Sequence, residues 1–325
     1  MSINKKIMEL FHANEDRFVS GEEIARSLAL SRTAVWNHIE QLKKSGYQFD
    51  AIPNRGYKLV HIPDKLFPNE IAHGLTTNIV GKKIISYNSV PSTNDIAYEL
   101  ALNGAEEGTV VLAEYQTGGK GRLGRKWHAP TGKDILFSLV LRPSLEPYYI
   151  TLLTVMSAIA VGECLQKELT TVPVAIKWPN DICINGKKIC GILLEQKAEI
   201  DKIDFVIIGI GLNVNTEKED FSQELTESAI SLKIIQNKTI ERIDLTRKLI
   251  SYLDEKYQMI KEERFAELRE EWLSFSNTHE KRIIIKQGKG ILEGDAIGID
   301  EKGALLLRED NGIIHTVLSG DLQLI

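Results

Sequence analysis

The chain has 325 residues, of which 43% are hydrophobic and 26% charged, so it can fill two or three domain cores and is not mainly disordered. Its net charge of −5 excludes a uniformly basic nucleic-acid coat. Residues 1–60, however, carry nine Lys and Arg against seven Asp and Glu, so the N-terminal segment is slightly basic and the rest of the chain is acidic. This contrast indicates a nucleic-acid contact confined to the N-terminal segment.

The N-terminal 60 residues predict three helices followed by a β-hairpin. Ser20 with Glu23 forms a capping-box pattern before a second helix, and Ser31 caps a third that ends near Gly46. Strands over 47–52 and 56–60 complete a winged helix-turn-helix. Polar side chains at the start of the third helix suit a major groove, and cations on the wing suit phosphates. The predicted DNA-binding residues are Ser31, Arg32, Thr33, Trp36, Asn37, His38, Arg55 and Lys58. A helical hairpin that binds another protein is the alternative interpretation.

Residues 64–275 predict a mixed sheet backed by helices. Apolar runs indicate strands over 83–87, 109–115, 135–141, 175–178, 181–184, 188–195 and 205–213. Helical patterns cover 94–103, 149–169 and 239–274, and Asn185 with Gly186 predicts a hairpin turn. The uncharged run over 147–162 is too short for a comfortable membrane span and is expected to be a buried helix.

After residue 276 the pattern changes to short strands with Gly-containing turns, which predicts a small β-barrel over 276–325. Together with a first domain over 1–63 and a second over 64–275, this makes three domains in an α+β chain. The three cysteines, Cys164, Cys183 and Cys190, have no metal-ligand or disulfide spacing, and the N-terminus has no signal-peptide pattern. We therefore expect a protein of the reducing cytoplasm, without a membrane anchor.

The most concentrated chemistry lies in the sequence GKGRLGRKW, residues 119–127. Lys120, Arg122, Arg125 and Lys126 stand among four glycines with no acid between residues 116 and 128. This composition predicts a mobile basic loop whose backbone and side chains order around phosphate. A following helix start and a Lys-Ser/Thr pair are both missing, which excludes the dinucleotide fingerprint and the P-loop. A solvated surface loop is the alternative.

Three further segments supply polar groups to the middle domain. Ser92, Thr93 and Asn94 begin a helix and suit an uncharged polar group such as a urea, although taken alone they favour a plain helix cap. Lys177, in the sequence KWPND, lies among apolar residues and needs an anionic partner unless its head reaches water. Asn180 and Asp181 follow at the turn and suit ribose or a metal ion, and the sequence GIGLN ending at Asn213 suits a nucleotide or a turn.

Taken together, these motifs resemble the bifunctional biotin–protein ligases that also act as repressors of biotin genes. The segments that carry the resemblance are SRTAVWNHIE (31–40), STN (92–94), EYQ (114–116), GKGRLGRKW (119–127), KWPND (177–181), GILLE (191–195) and GIGLN (209–213). Lys120 departs from the family, which commonly has arginine there, so a planar bidentate donor is replaced by a point charge. The resemblance implies a winged helix, a catalytic domain similar to class II aminoacyl-tRNA synthetases, and an SH3-like C-terminal barrel.

The resemblance also implies a two-step reaction. Biotin and ATP, with Mg²⁺, would form biotinyl-5′-AMP and pyrophosphate, and biotin would then pass to a lysine on the biotin carboxyl carrier domain of acetyl-CoA carboxylase or pyruvate carboxylase. The implied catalytic residues are Lys177 and Arg122. The implied biotin-binding residues are Ser92, Thr93, Asn94, Gln116, Lys120, Gly121, Arg122 and Lys177. The implied ATP- or adenylate-binding residues are Arg122, Arg125, Trp127, Asn180, Asp181 and Asn213. No dedicated metal site in the protein is expected.

By the same resemblance, biotinyl-5′-AMP would act as corepressor and promote a homodimer that places two winged helices on a palindromic operator. Two other functions remain compatible with the residues. One is a biotin-sensing repressor without catalysis, which the four-cation loop and Lys177 disfavour because a pure sensor needs no phosphate chemistry. The other is a lipoate-type ligase, whose ligand lacks the ureido ring that Ser92, Thr93, Asn94 and Gln116 suit.

Overall fold

The computed structural model describes residues 3–199, 202–287 and 290–325. The chain divides into two compact units, residues 1–65 and residues 66–325. The division falls two residues after the end of the predicted first domain. The predicted second and third domains lie together in the second unit, and the boundary between them at residue 275 stays a prediction.

The first unit has the three helices and the hairpin that its sequence predicts. Its elements are α1 (Ile3–His12), α2 (Gly21–Leu28), α3 (Arg32–Lys44), β1 (Gln48–Ile52) and β2 (Gly56–His61). The hydroxyl of Ser20 accepts a hydrogen bond from the Glu23 amide, and that of Ser31 from the Ala34 amide. Ala29 adopts a left-handed conformation that ends α2, which turns the chain towards α3.

The wing is fixed to the helices at Gly56. Its φ of +106° and the approach of the Val19 carbonyl oxygen, which a Cβ would meet at 2.1 Å, both require glycine. Val19 and Tyr57 exchange two backbone hydrogen bonds beside it. The hairpin is therefore held in one position relative to α2 and α3.

The second unit is built on a seven-stranded sheet. Its strands are β3 (Lys83–Tyr87), β4 (Thr109–Ala113), β5 (Ile135–Leu141), β6 (Val174–Lys177), β7 (Asp181–Ile184), β8 (Lys187–Ala198) and β9 (Ile203–Leu212). The spatial order is β3-β4-β5-β9-β8-β7-β6, with β3 and β4 parallel and the other pairs antiparallel. The Asn185–Gly186 turn joins β7 to β8 with positive φ at both residues, as the sequence predicts.

Six helices accompany this sheet: α4 (Pro68–Ala72), α5 (Thr93–Leu102), α6 (Thr151–Glu168), α7 (Leu232–Gln236), α8 (Arg242–Lys261) and α9 (Phe265–Phe275). The α5 helix packs on β4, β5 and β9, while α6 packs on β6, β7 and β8 and against α8 and α9. The stretch Pro147–Glu168 is long and apolar enough to span a bilayer, but its most apolar part is mostly buried within the protein. The expectation of a buried helix there is confirmed.

A buried ion pair joins α8 to the residue that follows β4. Arg242, 1% exposed, donates to the Glu114 carboxylate at 2.9 Å, and the other Glu114 oxygen accepts the Leu66 amide at 2.7 Å. A buried charge is tolerated only when it is paired and hydrogen-bonded, so these contacts hold α8 and the end of β4 in one arrangement.

The last strands are β10 (Arg282–Gln287), β11 (Gly290–Ile299), β12 (Leu305–Arg308), β13 (Ile314–Val317) and β14 (Asp321–Leu324). They form an antiparallel sheet in the order β13-β12-β11-β10-β14. The segment before it is joined to β6, because the Asn277 amide donates to the Ile176 carbonyl at 3.1 Å and the Trp178 amide to the Thr278 hydroxyl at 3.3 Å. The C-terminal sheet is thereby held next to the KWPND turn.

Candidate active site and DNA-binding face

A cavity of about 400 Å³ lies where the basic loop, the KWPND turn and the start of β14 meet. Its walls hold most of the cations that the sequence predicts for phosphate. The predicted residues that line it are Gly121, Arg122, Arg125, Trp127, Lys177, Asn180, Asp181 and Asn213. The predicted biotin residues Ser92, Thr93, Asn94, Gln116 and Lys120 are not among its lining residues. Of these, Thr93, Asn94 and Gln116 belong to a separate polar cluster beside the loop.

The first part of that cluster joins Thr93 to Gln116. The Gln116 Oε1 atom accepts both the Thr93 amide, at 2.7 Å, and the Thr93 hydroxyl, at 2.9 Å. Ser92 is 2% exposed and stands at the N-cap of α5, but its side chain makes no capping hydrogen bond. The plain-cap interpretation therefore does not account for Ser92.

The second part of the cluster fixes Asn94 over Gly209 of β9. A Cβ at Gly209 would lie 2.3 Å from Asn94 Oδ1, so the missing side chain makes the space that the amide fills. Asn94 Nδ2 donates to Glu195 Oε2 at 2.7 Å, and Asn94 Oδ1 accepts the Ser138 hydroxyl at 2.6 Å. The sequence analysis did not single out Ser138, although a lone polar residue within the apolar strand β5 was a usable signal.

Trp127 occupies a second hollow in the same sheet. A Cβ at Gly211 would lie 2.4 Å from the Trp127 indole, and one at Gly191 would lie 3.0 Å from it. The indole Nε1 is buried and has no hydrogen-bond partner within the described parts of the chain. A buried donor without an acceptor is costly, so this N–H fits a ligand that brings an acceptor into the cavity.

Lys188 is a charged residue of the cavity that the sequence analysis missed. Its ammonium lies 2.6 Å from Asp181 Oδ1 and 5.6 Å from the centre of the Trp127 ring, and its side chain lines the cavity. The signal was present, since Lys188 follows the Asn185–Gly186 turn and pairs across the strands with Cys183. Only the strand register shows that it comes close to Asp181.

Lys177, by contrast, lines the cavity without an ion pair among the residues that the structure describes. It ends β6 and pairs in register with Asp181 at the start of β7. The cavity is therefore bordered by two lysines on different strands, one fixed by a carboxylate and one free to meet an anion.

The basic loop is folded into a compact hairpin. The Trp127 amide donates to the Gly119 carbonyl at 2.9 Å, and the Gly121 amide donates to the Arg125 carbonyl at 2.7 Å. A short hydrogen bond from Lys120 to Asp95 raises the pKa of Lys120, so this lysine is held away from the cavity by a carboxylate of α5.

The two arginines of the loop have separate anchors. Arg122 donates to Asn180 Oδ1 at 3.0 Å, and its burial lowers the pKa of its guanidinium. Arg125 pairs with Asp321 of β14 at 2.7 Å. The C-terminal sheet thus contributes directly to the cavity wall, which the sequence did not predict.

Asn213 and the segment after it close the far side of the cavity. Asn213 is 3% exposed, and its amide donates to the Ile230 carbonyl at 3.0 Å. The unpredicted lining residues of this side are Phe221, Leu225, Ser228 and Ala229. Lys133, which pairs with Glu217 and Asp220, ties the start of this segment to the sheet.

The cysteines are not suited to act as nucleophiles here, although Cys183 lines the cavity. All three are free and buried. Burial raises the pKa of Cys164 to about 12 and that of Cys183 to about 11, and it also raises the pKa of Cys190. Thiols with such pKa values are not nucleophiles at neutral pH.

On the first unit, the start of α3 presents an exposed face. Its exposed members among the predicted DNA-binding residues are Ser31, Arg32, Thr33, Trp36 and Asn37. Arg32 pairs with Glu22 at 2.5 Å. His38 is placed differently, because it is half-buried and its Nδ1 lies 2.7 Å from Asn4 Oδ1 of α1. On the wing, Arg55 is exposed beside the Phe18 ring and Lys58 is half-buried.

Comparison with known proteins defines the class first. Residues 86–213 match the biotin/lipoate A/B protein ligase family, residues 4–58 match a helix-turn-helix domain, and residues 278–324 match the biotin protein ligase C-terminal domain. The Aquifex aeolicus biotin protein ligase in complex with biotin and ATP is 31% identical, with a TM-score of 0.63, over 75% of this chain and 99% of that chain.

The relatives that span the whole chain are more specific. The bifunctional ligase/repressor BirA of Bacillus subtilis is 39% identical over 323 residues, 99% of either chain. That of Escherichia coli K12 is 29% identical over 313 residues, 94% of this chain and 93% of its own. The chain belongs to this family of bifunctional biotin ligase/repressors.

Proposed function

We propose that this protein joins biotin and ATP into biotinyl-5′-AMP, transfers biotin to a lysine of a carrier protein, and represses biotin genes with the adenylate as corepressor. The observation that carries the ligase function is the cavity itself, which Arg122, Arg125, Lys126, Lys177 and Lys188 line together with the Trp127 indole. Five cations in one cavity with an aromatic ring suit an adenylated carboxylate better than a neutral ligand.

In the first step, one group of residues binds biotin and another neutralises charge. Ser92, Thr93, Asn94 and Gln116 hold the ureido head of biotin. Lys188, Lys177 and Arg122 offset the negative charge that builds as the biotin carboxylate approaches the α-phosphate. The bond formed is a carboxyl–phosphate anhydride and the leaving group is pyrophosphate.

The remaining loop and strand residues protect this product. Arg125 and the basic loop cover the cavity, and Asn213 with Trp127 faces the nucleotide. Exclusion of water preserves the mixed anhydride until a carrier lysine attacks its acyl carbon and AMP leaves. No residue of the chain forms a covalent intermediate in this scheme.

Mg²⁺ fits this site only as a companion of ATP. Asp181 and Asn180 are the oxygen donors of the KWPND turn, and they already contact Lys188 and Arg122. So few protein oxygens suit a Mg²⁺ that is held mainly by phosphates and water. When bound, the ion supplies charge neutralisation to the phosphates.

Repression follows from the first unit. The exposed start of α3 enters the operator, and the adenylate promotes a homodimer in the cytoplasm that aligns two such helices. The carrier partner is the biotin carboxyl carrier domain of acetyl-CoA carboxylase or pyruvate carboxylase. For the second unit we propose the class II synthetase-like architecture, and for its last five strands the SH3-like barrel.

The test is pyrophosphate exchange into ATP, measured on the purified protein with Mg²⁺ and either biotin or lipoate. We expect exchange with biotin alone, followed by labelling of a carrier domain. Exchange with lipoate alone would replace the proposal with a lipoate-type ligase. Absence of exchange with both acids, from folded protein, would leave a non-catalytic DNA-binding sensor.

A further inference from the structure

The polar cluster beside the loop has fewer hydroxyl hydrogens than it has oxygen–oxygen contacts that need one. Three oxygen–oxygen contacts connect it: Ser138 to Asn94 Oδ1 at 2.6 Å, Ser138 to Thr93 Oγ1 at 2.8 Å, and Thr93 Oγ1 to Gln116 Oε1 at 2.9 Å. Only the hydroxyls of Ser138 and Thr93 carry hydrogens for these contacts. Two hydrogens therefore serve three contacts, and at any moment one contact lacks its donor.

The orientation of the two amides prevents the cluster from correcting this shortage. If Asn94 flipped, its oxygen would face the Glu195 carboxylate, which now accepts its Nδ2 at 2.7 Å. If Gln116 flipped, its amino group would face the Thr93 amide, which now donates to its oxygen at 2.7 Å. Both flips bring like groups together, so both amides keep an oxygen towards the hydroxyls.

The sheet fixes this arrangement from below. Gly209 of β9 pairs in register with Ser138 of β5 on one side and with Leu193 of β8 on the other. The Asn94 amide fills the space above Gly209 between them. Ser138 itself is fully buried, so its hydroxyl acts only through Thr93 and Asn94.

We infer that Ser138 is a positioning residue that makes this site selective for a head group with N–H donors. A ureido N–H supplies the missing hydrogen, whereas the dithiolane of lipoate has no donor to offer. A site built to pair a polar ligand group rejects the analogue that lacks it far more strongly than an apolar pocket does. This inference rests on the proposed ligase function.

The test compares Ser138→Ala with Ser157→Ala, which also removes one fully buried hydroxyl, there hydrogen-bonded to the Leu153 carbonyl of α6. Calorimetry on the full-length protein gives the Kd of biotin, of desthiobiotin, which keeps the ureido ring, and of lipoate. We expect Ser138→Ala to weaken biotin and desthiobiotin by about the same factor, near tenfold. Lipoate binding and the KM for ATP should stay unchanged, and Ser157→Ala should leave all four values unchanged.

Glu195→Gln is the second variant, because it removes the carboxylate that orients Asn94 without touching the buried strand β5. Glu195→Gln should also weaken the binding of biotin and of desthiobiotin, and it should leave the binding of lipoate unchanged. Biotin affinities within twofold of the wild type in both variants would overturn the inference, as would an equal loss in Ser138→Ala and Ser157→Ala. Wild-type protein that bound no biotin would instead overturn the proposed function.

Discussion

At the scale of single residues, Lys188 shows how one side chain can organise several others. Its ammonium contacts the Asp181 carboxylate and lies beside the Trp127 ring, within a cavity where an anionic substrate must be neutralised. Neither contact involves a neighbour in sequence. We therefore expect the charge of Lys188 to matter both to the substrate and to the positions of Asp181 and Trp127.

Replacement of Lys188 by Met should reduce biotin-dependent pyrophosphate exchange by about 100-fold or more, because a preorganised cation beside the reacting groups is lost. Lys187→Met is the matched control, since Lys187 points to the Thr226 carbonyl and Glu227 at the surface and should tolerate the change. Steady-state exchange rates on both variants check this. An equal loss in the two would contradict the role given to Lys188.

Asp134 makes a prediction about pH. It is 2% exposed and accepts the Val214 amide and the Thr216 hydroxyl, and burial raises its pKa to about 6. Because the folded pKa exceeds the unfolded value of 3.8, this group favours folding most below about pH 4 and loses that contribution as the pH rises through 6. The loss is about 3 kcal/mol over this range.

Asp134→Asn cannot ionise and keeps an oxygen for the Val214 amide. Relative to the wild type, the variant should therefore gain stability as the pH rises from 4 to 7. Urea unfolding of both proteins at several pH values measures the difference. Parallel stability curves would show that Asp134 does not titrate in this range.

At the scale of elements, glycines in β8 and β9 form the floor on which the site is assembled. Gly209 receives the Asn94 amide, and Gly211 with Gly191 receives the Trp127 indole. Helix α5 and the basic loop thus pack on these strands at glycines, where the absence of a side chain leaves room for Asn94 and Trp127. The sequence GIGLN is explained by this packing and not by a turn.

Gly211→Ala should displace Trp127, because the added Cβ would lie 2.4 Å from the indole. Overpacking of about 1–3 kcal/mol corresponds to a rise of about 5- to 150-fold in the KM for ATP. Gly162→Ala in α6 is the control, since its Cβ would meet Phe275 at an ordinary 3.4 Å. Pyrophosphate exchange measured at varied ATP concentration tests this prediction. An unchanged KM for ATP in Gly211→Ala would show that Trp127 does not contribute to nucleotide binding.

The elements also show what sequence reasoning can reach. Strands β3, β5 and β7 match the predicted bounds to the residue, because each is a short, mostly apolar run with turn or loop residues beyond it. The predicted helix over 239–274 was wrong in one respect: it is divided into α8 and α9 at Glu263, which has a φ of +57°. No Gly or Pro marks that break. The five-residue helices α4 and α7 are too short to show helical periodicity.

Ser138 and Lys188 were missed for a different reason. Their roles depend on which strands are neighbours, and the order β5-β9-β8-β7 is not readable from local pattern. The same holds for Asp321, which meets Arg125 across 196 positions of sequence. The motifs predict the cations of the loop, whereas the partners of these cations are known only from the folded structure.

At the scale of the whole molecule, the chain is a DNA-binding unit followed by a catalytic unit, each with its own core. Ligand binding to the second must change the DNA affinity of the first if the protein is to repress in response to biotin. The thermodynamic requirement is reciprocal: operator DNA must then also tighten binding of the adenylate.

Biotin with ATP should raise operator affinity by about 5- to 150-fold, the usual range of such coupling. Fluorescence anisotropy with operator DNA, with and without the two substrates, gives the ratio. Arg32→Ala is the control, because it should abolish DNA binding and leave exchange unchanged. A ratio near one with active enzyme would separate repression from ligation.

The hollow that holds Trp127 has a practical consequence. The chain has four tryptophans, and Trp178 and Trp272 are fully buried while Trp36 stands on the exposed face of α3. Trp127 and Trp178 both line the cavity, but within the described parts of the chain Trp127 alone among the tryptophans has a cation near its ring and a buried indole N–H without a partner. We therefore expect the emission of Trp127 to change when the cavity is occupied, which would make the protein its own optical probe of the reaction.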